Sequence, residues 1–515
     1  MYLTQGLHRA VQQTPDGLAT IYGERVRTWA ESADRVARFA GALHAHGVGA
    51  GDRVGLLAVN SDIYHEAMLA IPWADAVVNP VNTRWSAAEI AFSLDDSGSR
   101  VLIVDDTFAP AVPELRQHCA AIDTVIHAGD GAAPEHSLDY ETLVTGHDPV
   151  ADARRGGDDL GGIYYTGGTT GKPKGVMLSH ANLLVSALGA CATGELITPR
   201  GRVMHAAPMF HLADMITWVA GNLLGATHVM VPGFTPTGVA DAIARHQVTD
   251  VLLVPTMIQM LVDSQDTAGT DLSSLRRLLY AGSPISEALV ERTRKRLPTT
   301  ALTQVYGMTE NAATITLLLP HEHDDPALRR AAGRAEPHNE IRVVDPQDNE
   351  VPVGTIGEIV LRGPNVMLGY WNRPEQTAET LRDGWMHTGD SGYVDERGYV
   401  FLVDRIKDMI VSGGENVYSV EVENALCKHP AVAACAVIGI PDETWGESVH
   451  AVVVPTVGHH ATQDELRAHA KTLIAGYKAP RTVEFVEALP ISGAGKVLKN
   501  ELRAKYWPPG ARGVS

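Results

Sequence analysis

The chain has 515 residues, 45% of them hydrophobic and 20% charged, with 42 basic against 61 acidic side chains and a net charge of −19. That length exceeds a single hydrophobic core, so two or three domains are expected, and the composition is that of an ordinary globular protein. The acidic surplus opposes non-specific nucleic-acid binding and attachment to anionic membranes, while leaving room for a local basic pocket.

Cys119, Cys191, Cys427 and Cys435 form no CxxC pair, so free thiols in a reducing compartment are expected rather than disulfides or zinc. The first residues, MYLTQGLHRAVQQTP, lack the apolar stretch of a signal peptide. No uninterrupted apolar run reaches the ~18 residues of a membrane span. The expectation is a soluble cytoplasmic protein.

In chain order, residues 4–48 read as helix around a short hairpin. Residues 19–22 and Val26 pair across Gly23-Glu24, and Thr28 with Glu31 forms a capping box for a helix with apolar positions Trp29, Ala33, Val36, Ala37, Ala40 and Leu43. Strand 52–59, helix 63–73, strand 76–79, helix 87–94 and strand 101–104 follow. Continuous apolar strands alternating with helices indicate a parallel sheet covered on both faces. Residues 127–160, rich in Gly, Asp and His, read as a surface connection.

That connection leads into residues 164–175, YYTGGTTGKPKG, which carry four glycines, three threonines and two lysines. Glycine lets backbone N–H groups converge on an anion, hydroxyls add donors and lysine adds charge, which is what a polyphosphate needs. The spacing is not that of a Walker A loop, because Thr166 and Pro173 stand where that motif needs Gly and Ser or Thr. Beyond it Ser179 caps a helix, and the strand–helix rhythm continues to about residue 296 through strands 202–206, 227–231, 250–254 and 277–280. From Arg334 the rhythm changes to short strands, 340–344, 357–362 and 398–402, separated by Gly, Pro and Asp turns. That pattern predicts an antiparallel or barrel-like subdomain. A last α+β unit begins near Asp404-Arg405, with strand 409–411, helix 419–428, strands 432–439 and 447–454, and helix 463–473.

Further clusters need one explanation: YAGSPIS (280–286), QVYGMTE (304–310), HTGD (387–390), DRIKDMIVSGGENVY (404–418) and PISGAGKVLK (490–499). In this order, and with the phosphate loop, they resemble the motif set of the adenylate-forming enzymes, which include acyl-CoA synthetases, 4-coumarate- and aryl-CoA ligases, luciferases and peptide-synthetase adenylation domains. The resemblance spans nearly the whole chain. It implies the adenylate-forming fold: a multidomain α/β and α+β chain, with a large N-terminal body of doubly covered, mostly parallel sheets, a small barrel-like subdomain and a mobile C-terminal α+β domain. It places the boundary between 1–403 and 404–515, with the hinge at Asp404. It implies ATP, Mg²⁺ and coenzyme A, and two steps: a carboxylate attacks the α-phosphate to give acyl-AMP and pyrophosphate, then a thiol displaces AMP. The physical reading agrees, since a carboxylate is a weak nucleophile and its partner needs its phosphate charge neutralised and shielded from water.

Carried over residue by residue, Thr166, Gly167, Gly168, Thr169, Thr170, Gly171 and Lys174 match the loop that grips the β- and γ-phosphates. Gly167 stands where the family usually has Ser, so one hydroxyl donor is lost there. Glu310 matches the Mg²⁺-associated carboxylate, with Thr166 as a second metal donor. Thr309 would touch the α-phosphate, Tyr306 would stack on adenine, and Gly282, Ser283, Pro284, Gly307 and Met308 would line the nucleotide and acyl pockets. Asp390 would hold the ribose hydroxyls and Arg405 the ribose or phosphate; the plainer alternative is a structural Asp390–Arg405 ion pair. Lys496 matches the mobile lysine that bridges carboxylate and α-phosphate. Gly413 and Gly414 match the turn that flanks the pantetheine tunnel, and Asn416 a nucleotide-contacting position. Lys499 is read as either functional or structural, and no role is assigned to Trp445.

His211, after Pro208-Met209-Phe210, matches the histidine that gates the acyl channel and acts beside the catalytic Lys496, Thr166 and Glu310. Met215, Trp218, Tyr280, Ala281 and Thr314 are the other expected channel residues. MFHL favours an apolar monocarboxylic acid, with fatty acids, cinnamates and benzoates all open, although Asp214 leaves an amino-acid substrate as an alternative. A separate carrier protein in place of CoA, and a nucleotide-binding scaffold without turnover, are the other readings. An NAD oxidoreductase lacks its GxGxxG, and the hydrolase elbow is incomplete in GDSGY. Expected partners are small molecules, without nucleic acid or a membrane span; a homodimer is compatible with relatives.

Overall fold

The computed structural model describes residues 1–166, 173–283, 285–492 and 497–507. The capping box read at the N-terminus is present: the Thr28 hydroxyl accepts from the Glu31 N–H, Glu31 reaches back to the Thr28 N–H, and helix Trp29–Ala45 follows. The apolar stripe of that helix is buried along Trp29, Val36, Ala40 and Leu43.

Residues 1–405 build two sheets. In one, Thr124–His127, Val101–Val104, Arg53–Leu57, Val77–Pro80 and Leu160–Thr166 lie side by side and parallel. All of Val101–Val104 is buried, as a doubly covered strand requires. Leu160–Thr166 then turns back as an antiparallel hairpin with Lys174–Ser179. In the other sheet Leu18–Tyr22, Thr227–Met230, Arg202–His205, Asp250–Leu253, Arg277–Ala281 and Ala301–Tyr306 are parallel. One apolar cluster joins the two, with Val54 and Leu56 from the first, Val203 and Leu252 from the second, and Trp29, Met68 and Trp218 from helices.

The antiparallel strands expected after Arg334 are hydrogen-bonded in series onto the edge of this second sheet. Beyond Ala301–Tyr306 come Thr316–Leu318, Gly333–Ala335, Tyr399–Arg405, Trp385–Val394, Gly357–Arg362 and Glu340–Val344. A small core of Ile359, Leu361, Met386 and Val400 gathers around Tyr306. Residues 127–160 are more ordered than a plain connection, with helix Tyr140–Gly146 seating Tyr140 in the core.

After Arg405 the chain crosses to a separate sheet. Glu415–Val417, Ile410–Ser412, Gly446–Pro455 and Val432–Asp442 are antiparallel neighbours, and Thr482–Phe485 adds in parallel. Helices Ser419–Leu426 and Gln463–Leu473 cover it, around a core that includes Ile410, Val422, Val449 and Leu466. Among the described residues no helix is long and apolar enough to cross a membrane.

Candidate functional site

The site gathers where the strands of the body end. Ala301–Tyr306 ends at Tyr306, and the chain loops through residues 307–314 before Ile315 donates its N–H back to the Tyr306 carbonyl at 2.7 Å. The loop is tight enough that a Cβ on Gly307 would overlap the Ala313 carbonyl oxygen. Ala312 and Ala313 both sit at positive φ, 53° and 88°, a conformation that L-residues rarely take. Asn311 holds the loop shut, accepting from the Met308 N–H at 2.8 Å and donating to the Thr314 carbonyl at 2.8 Å. Thr309 and Glu310 lie in this clamped turn.

Glu310 is 8% exposed, and its Oε1 accepts from the Tyr370 hydroxyl at 2.9 Å. The Lys174 Nζ lies 5.1 Å from the centre of the Tyr370 ring. Tyr370 therefore ties Lys174, at the start of strand Lys174–Ser179, to the turn that carries Glu310. Burial, followed by the Glu310 charge, pushes its phenol well up, so it stays a donor. The sequence reading missed Tyr370, because its link to Glu310 runs over 60 positions of chain. Thr166 and Lys174 are cross-strand partners at the mouth of the hairpin.

On the neighbouring strands the Tyr306 hydroxyl donates to Asp390 Oδ2 at 2.8 Å. Arg405, directly opposite Asp390 in the antiparallel pair, places Nε 3.6 Å from Oδ1. The ion pair named as the plainer alternative thus exists, with the guanidinium about half exposed. Burial and then Asp390 raise the Tyr306 phenol well above its ordinary value. Gly282 sits at φ 87°, which only glycine takes without cost, and turns the chain out of strand Arg277–Ala281 toward Ser283.

Ala206, Pro208 and Phe210 line a cavity of about 150 Å³, which they share with Asn60, Arg84 and Phe234. His211 caps helix Leu212–Leu224, its Nδ1 accepting from the Ala213 N–H at 3.2 Å. Asp214 turns away into the core and bonds His205 Nδ1 at 2.6 Å, with both side chains fully buried. Trp218 and Tyr280 are likewise committed, the first to His65 at 2.9 Å and the second to His323 at 2.8 Å.

At the crossing to the C-terminal sheet, Asp404 Oδ2 accepts from the Ser419 N–H and, at 2.7 Å, from its hydroxyl. The Ser419 hydroxyl also accepts from Lys499 Nζ at 2.6 Å, and Lys499 pairs with Glu423 at 2.7 Å. Burial works against the Lys499 charge, yet Glu423, Asp404 and Asp408 outweigh it and hold its pKa above the usual lysine value. Gly413 and Gly414, at φ 63° and 82°, make the two-residue turn between Ile410–Ser412 and Glu415–Val417. A Cβ at Gly413 would fall 2.6 Å from the Trp445 ring, so Trp445 packs beneath this turn. Asn416 is exposed on the strand that follows. Arg84 of the body donates to the Ser492 carbonyl at 3.3 Å, and Ile491 bridges Val497. Gly167, Gly168, Thr169, Thr170, Gly171, Pro284 and Lys496 lie outside the described residues.

The structure thus brings Glu310 together with Tyr370 and Lys174, and Tyr306 with Asp390 and Arg405. It is similar to known proteins over its whole length. The AMP-binding enzyme family matches residues 7–371, and the AMP-binding enzyme C-terminal domain matches residues 421–496. The chain is 42% identical to a feruloyl-CoA synthase of an Amycolatopsis species, over 97% of this chain and 98% of that protein. It is 37% identical to the fatty acid–[acyl-carrier-protein] ligase ScoC of Streptomyces coeruleorubidus, over 98% and 96%. Among solved structures, the anthranilate CoA ligase AuaEII in complex with anthranoyl-AMP superimposes with a TM-score of 0.92 at 27% identity, over 98% and 97%.

Proposed function

We propose, from the premise that the chain belongs to the AMP-binding enzyme family and is an ATP-dependent acid–CoA ligase, that its acid is an apolar monocarboxylate of the hydroxycinnamate type. The observation that carries this is the segment 206–218 beside the cavity. Its one carboxylate, Asp214, is buried against His205, so the segment offers no acidic partner to a substrate amine. That argues against an amino-acid substrate. Hydroxycinnamates come first because of the likeness to the feruloyl-CoA synthase.

In this reading the loop from Thr166 to Lys174 and Lys496 offset the triphosphate charge as the carboxylate attacks the α-phosphate. Asp390 and Arg405 hold the ribose, Tyr306 and residues 282–284 the adenine, and Thr309 the α-phosphate. Gly307 and Met308 line the pocket, and His211 stands at the entry of the acid. A magnesium ion suits the donor set, because one carboxylate and one hydroxyl beside phosphate oxygens are what this small hard cation takes. Glu310 would hold it, with Thr166, and the ion would withdraw charge from the phosphates. The division at 403/404 belongs to the same proposal: Asp404 is the pivot, and the Gly413-Gly414 turn with Asn416 enters the cleft for thioester formation.

The test is AMP release with ATP, Mg²⁺ and CoA across ferulate, coumarate, benzoate, hexanoate, octanoate and palmitate. Ferulate or coumarate should give the highest kcat/KM, and preference for palmitate would overturn the acid class. The likeness to ScoC favours one second reading, transfer to a carrier protein. Thioester formed on a phosphopantetheinyl carrier but not on CoA would select it.

A further inference from the structure

We propose that Asn60 is a positioning residue for the segment 205–211, setting where Phe210 and His211 stand at the entry of the acid; this rests on the adenylation reading above. Asn60 is 3% exposed and belongs to the connection after strand Arg53–Leu57 of one sheet, whereas the segment leaves strand Arg202–His205 of the other. Its Nδ2 donates to the His205 carbonyl at 3.0 Å and to the Ala207 carbonyl at 2.8 Å, and its Oδ1 accepts from the Met209 N–H at 2.9 Å. One side-chain amide therefore serves three alternate residues of the backbone as it leaves its strand and turns. The opposite orientation would set donor against donor and acceptors against acceptor, so the backbone determines which way the amide points.

The residues between those partners, Ala206, Pro208 and Phe210, line the cavity, and Asn60 lines it beside them. The segment thus commits 205, 207 and 209 to Asn60 while 206, 208 and 210 face the cavity, before His211 closes a turn onto the Pro208 carbonyl at 3.0 Å. Asn60 is itself firmly placed. Val59 donates to Asp105 Oδ2 at 2.9 Å, and Ser61 caps the next helix through the Tyr64 N–H at 3.0 Å. At the far end the His205–Asp214 bond closes the segment's base, and His211 begins the helix. A displacement of about 1 Å in such a wall is enough to change a rate by ~100-fold.

The test compares the parent with Asn60→Ala and Asn60→Asp in acid-dependent ATP–pyrophosphate exchange. The acid KM should rise at least about tenfold and the ranking of the acid panel should change, while the ATP KM stays within about twofold. The Asp variant should recover as pH falls, because its protonated carboxyl again supplies a donor and an acceptor, and the Ala variant should not. Where Asn60→Ala does not fold, Asn60→Ser carries the comparison. Folded variants with an unchanged acid KM and acid ranking, or with acid and ATP KM rising together, overturn the positioning role. A parent that shows no exchange with any acid overturns the adenylation reading and this proposal with it, whereas an active parent with unmoved variants overturns the role of Asn60 alone.

Discussion

The body's strand ends and its junction with the C-terminal module use charge in opposite ways. In the body, Glu310, Asp390 and Arg405 each have a neighbour that orients them: Tyr370 holds one oxygen of the buried Glu310, and Arg405 stands 3.6 Å from Asp390 with half its surface open. Where the last body strand meets the module, Asp404 of the body and Ser419, Lys499 and Glu423 of the module satisfy one another in a buried chain, with Lys499 at 2.6 Å and 2.7 Å from its partners. An exposed, loosely paired charge is available to a ligand and contributes little to stability. A buried, mutually bonded set instead fixes the groups that make it, and here it fastens helix Ser419–Leu426 and Lys499 to the last strand of the body.

The largest effect should come from breaking the buried set. Lys499→Ala leaves Glu423 and Asp404 without their cation, and denaturant unfolding should register a loss of about 3–5 kcal/mol. Arg405→Ala should cost less than about 1 kcal/mol of stability in the same experiment and show itself as a raised ATP KM. Equal destabilisation by the two would erase the contrast.

Lys496→Ala comes next and tests the charge that the C-terminal unit lends to the chemistry of the body. Acyl-AMP formation should fall about 100- to 1,000-fold, while thioester formation from supplied acyl-AMP is spared; rapid-quench assays of the two half-reactions would distinguish this from loss of both. Tyr370→Phe removes the hydroxyl on Glu310, a hydrogen bond to a charged group of about 1.5–3 kcal/mol. It should lower adenylation without moving the acid ranking, and a changed ranking would place Tyr370 at the acid instead.

The effect that is smallest per pH unit concerns Glu336, which burial pushes up to about 8. A carboxyl whose pKa is higher folded than unfolded binds its proton more tightly in the native state. Stability from this group is therefore complete below the ordinary carboxyl pKa, near 4.5, and is lost as pH rises toward 8. Melting curves should show stability falling across that window by at most about 1.4 kcal/mol per pH unit, and Glu336→Gln should flatten the slope.

Local chemistry made part of this molecule legible in its residues alone. The Thr28–Glu31 cap, the buried run Val101–Val104 and the two-glycine turn at Gly413-Gly414 all follow from interactions within a few positions of chain. Motif order likewise pointed to the family. Other features depend on contacts between residues far apart in sequence. Tyr370 reaches Glu310 across 60 positions, Asn60 grips the 205–209 backbone across about 145 to 149, and Trp445 backs Gly413 across a sheet. Asp214 could be read as an amine partner until the fold turned it onto His205.

The sequence by itself determined which backbone could form where, and which side chains carry phosphate and carboxylate chemistry, because propensity, capping and residue type act over a turn or a strand. Only the tertiary structure decided which of those groups are already bonded and which face the cleft. Pairing across sheets depends on the register at which distant strands meet, and no local pattern encodes that.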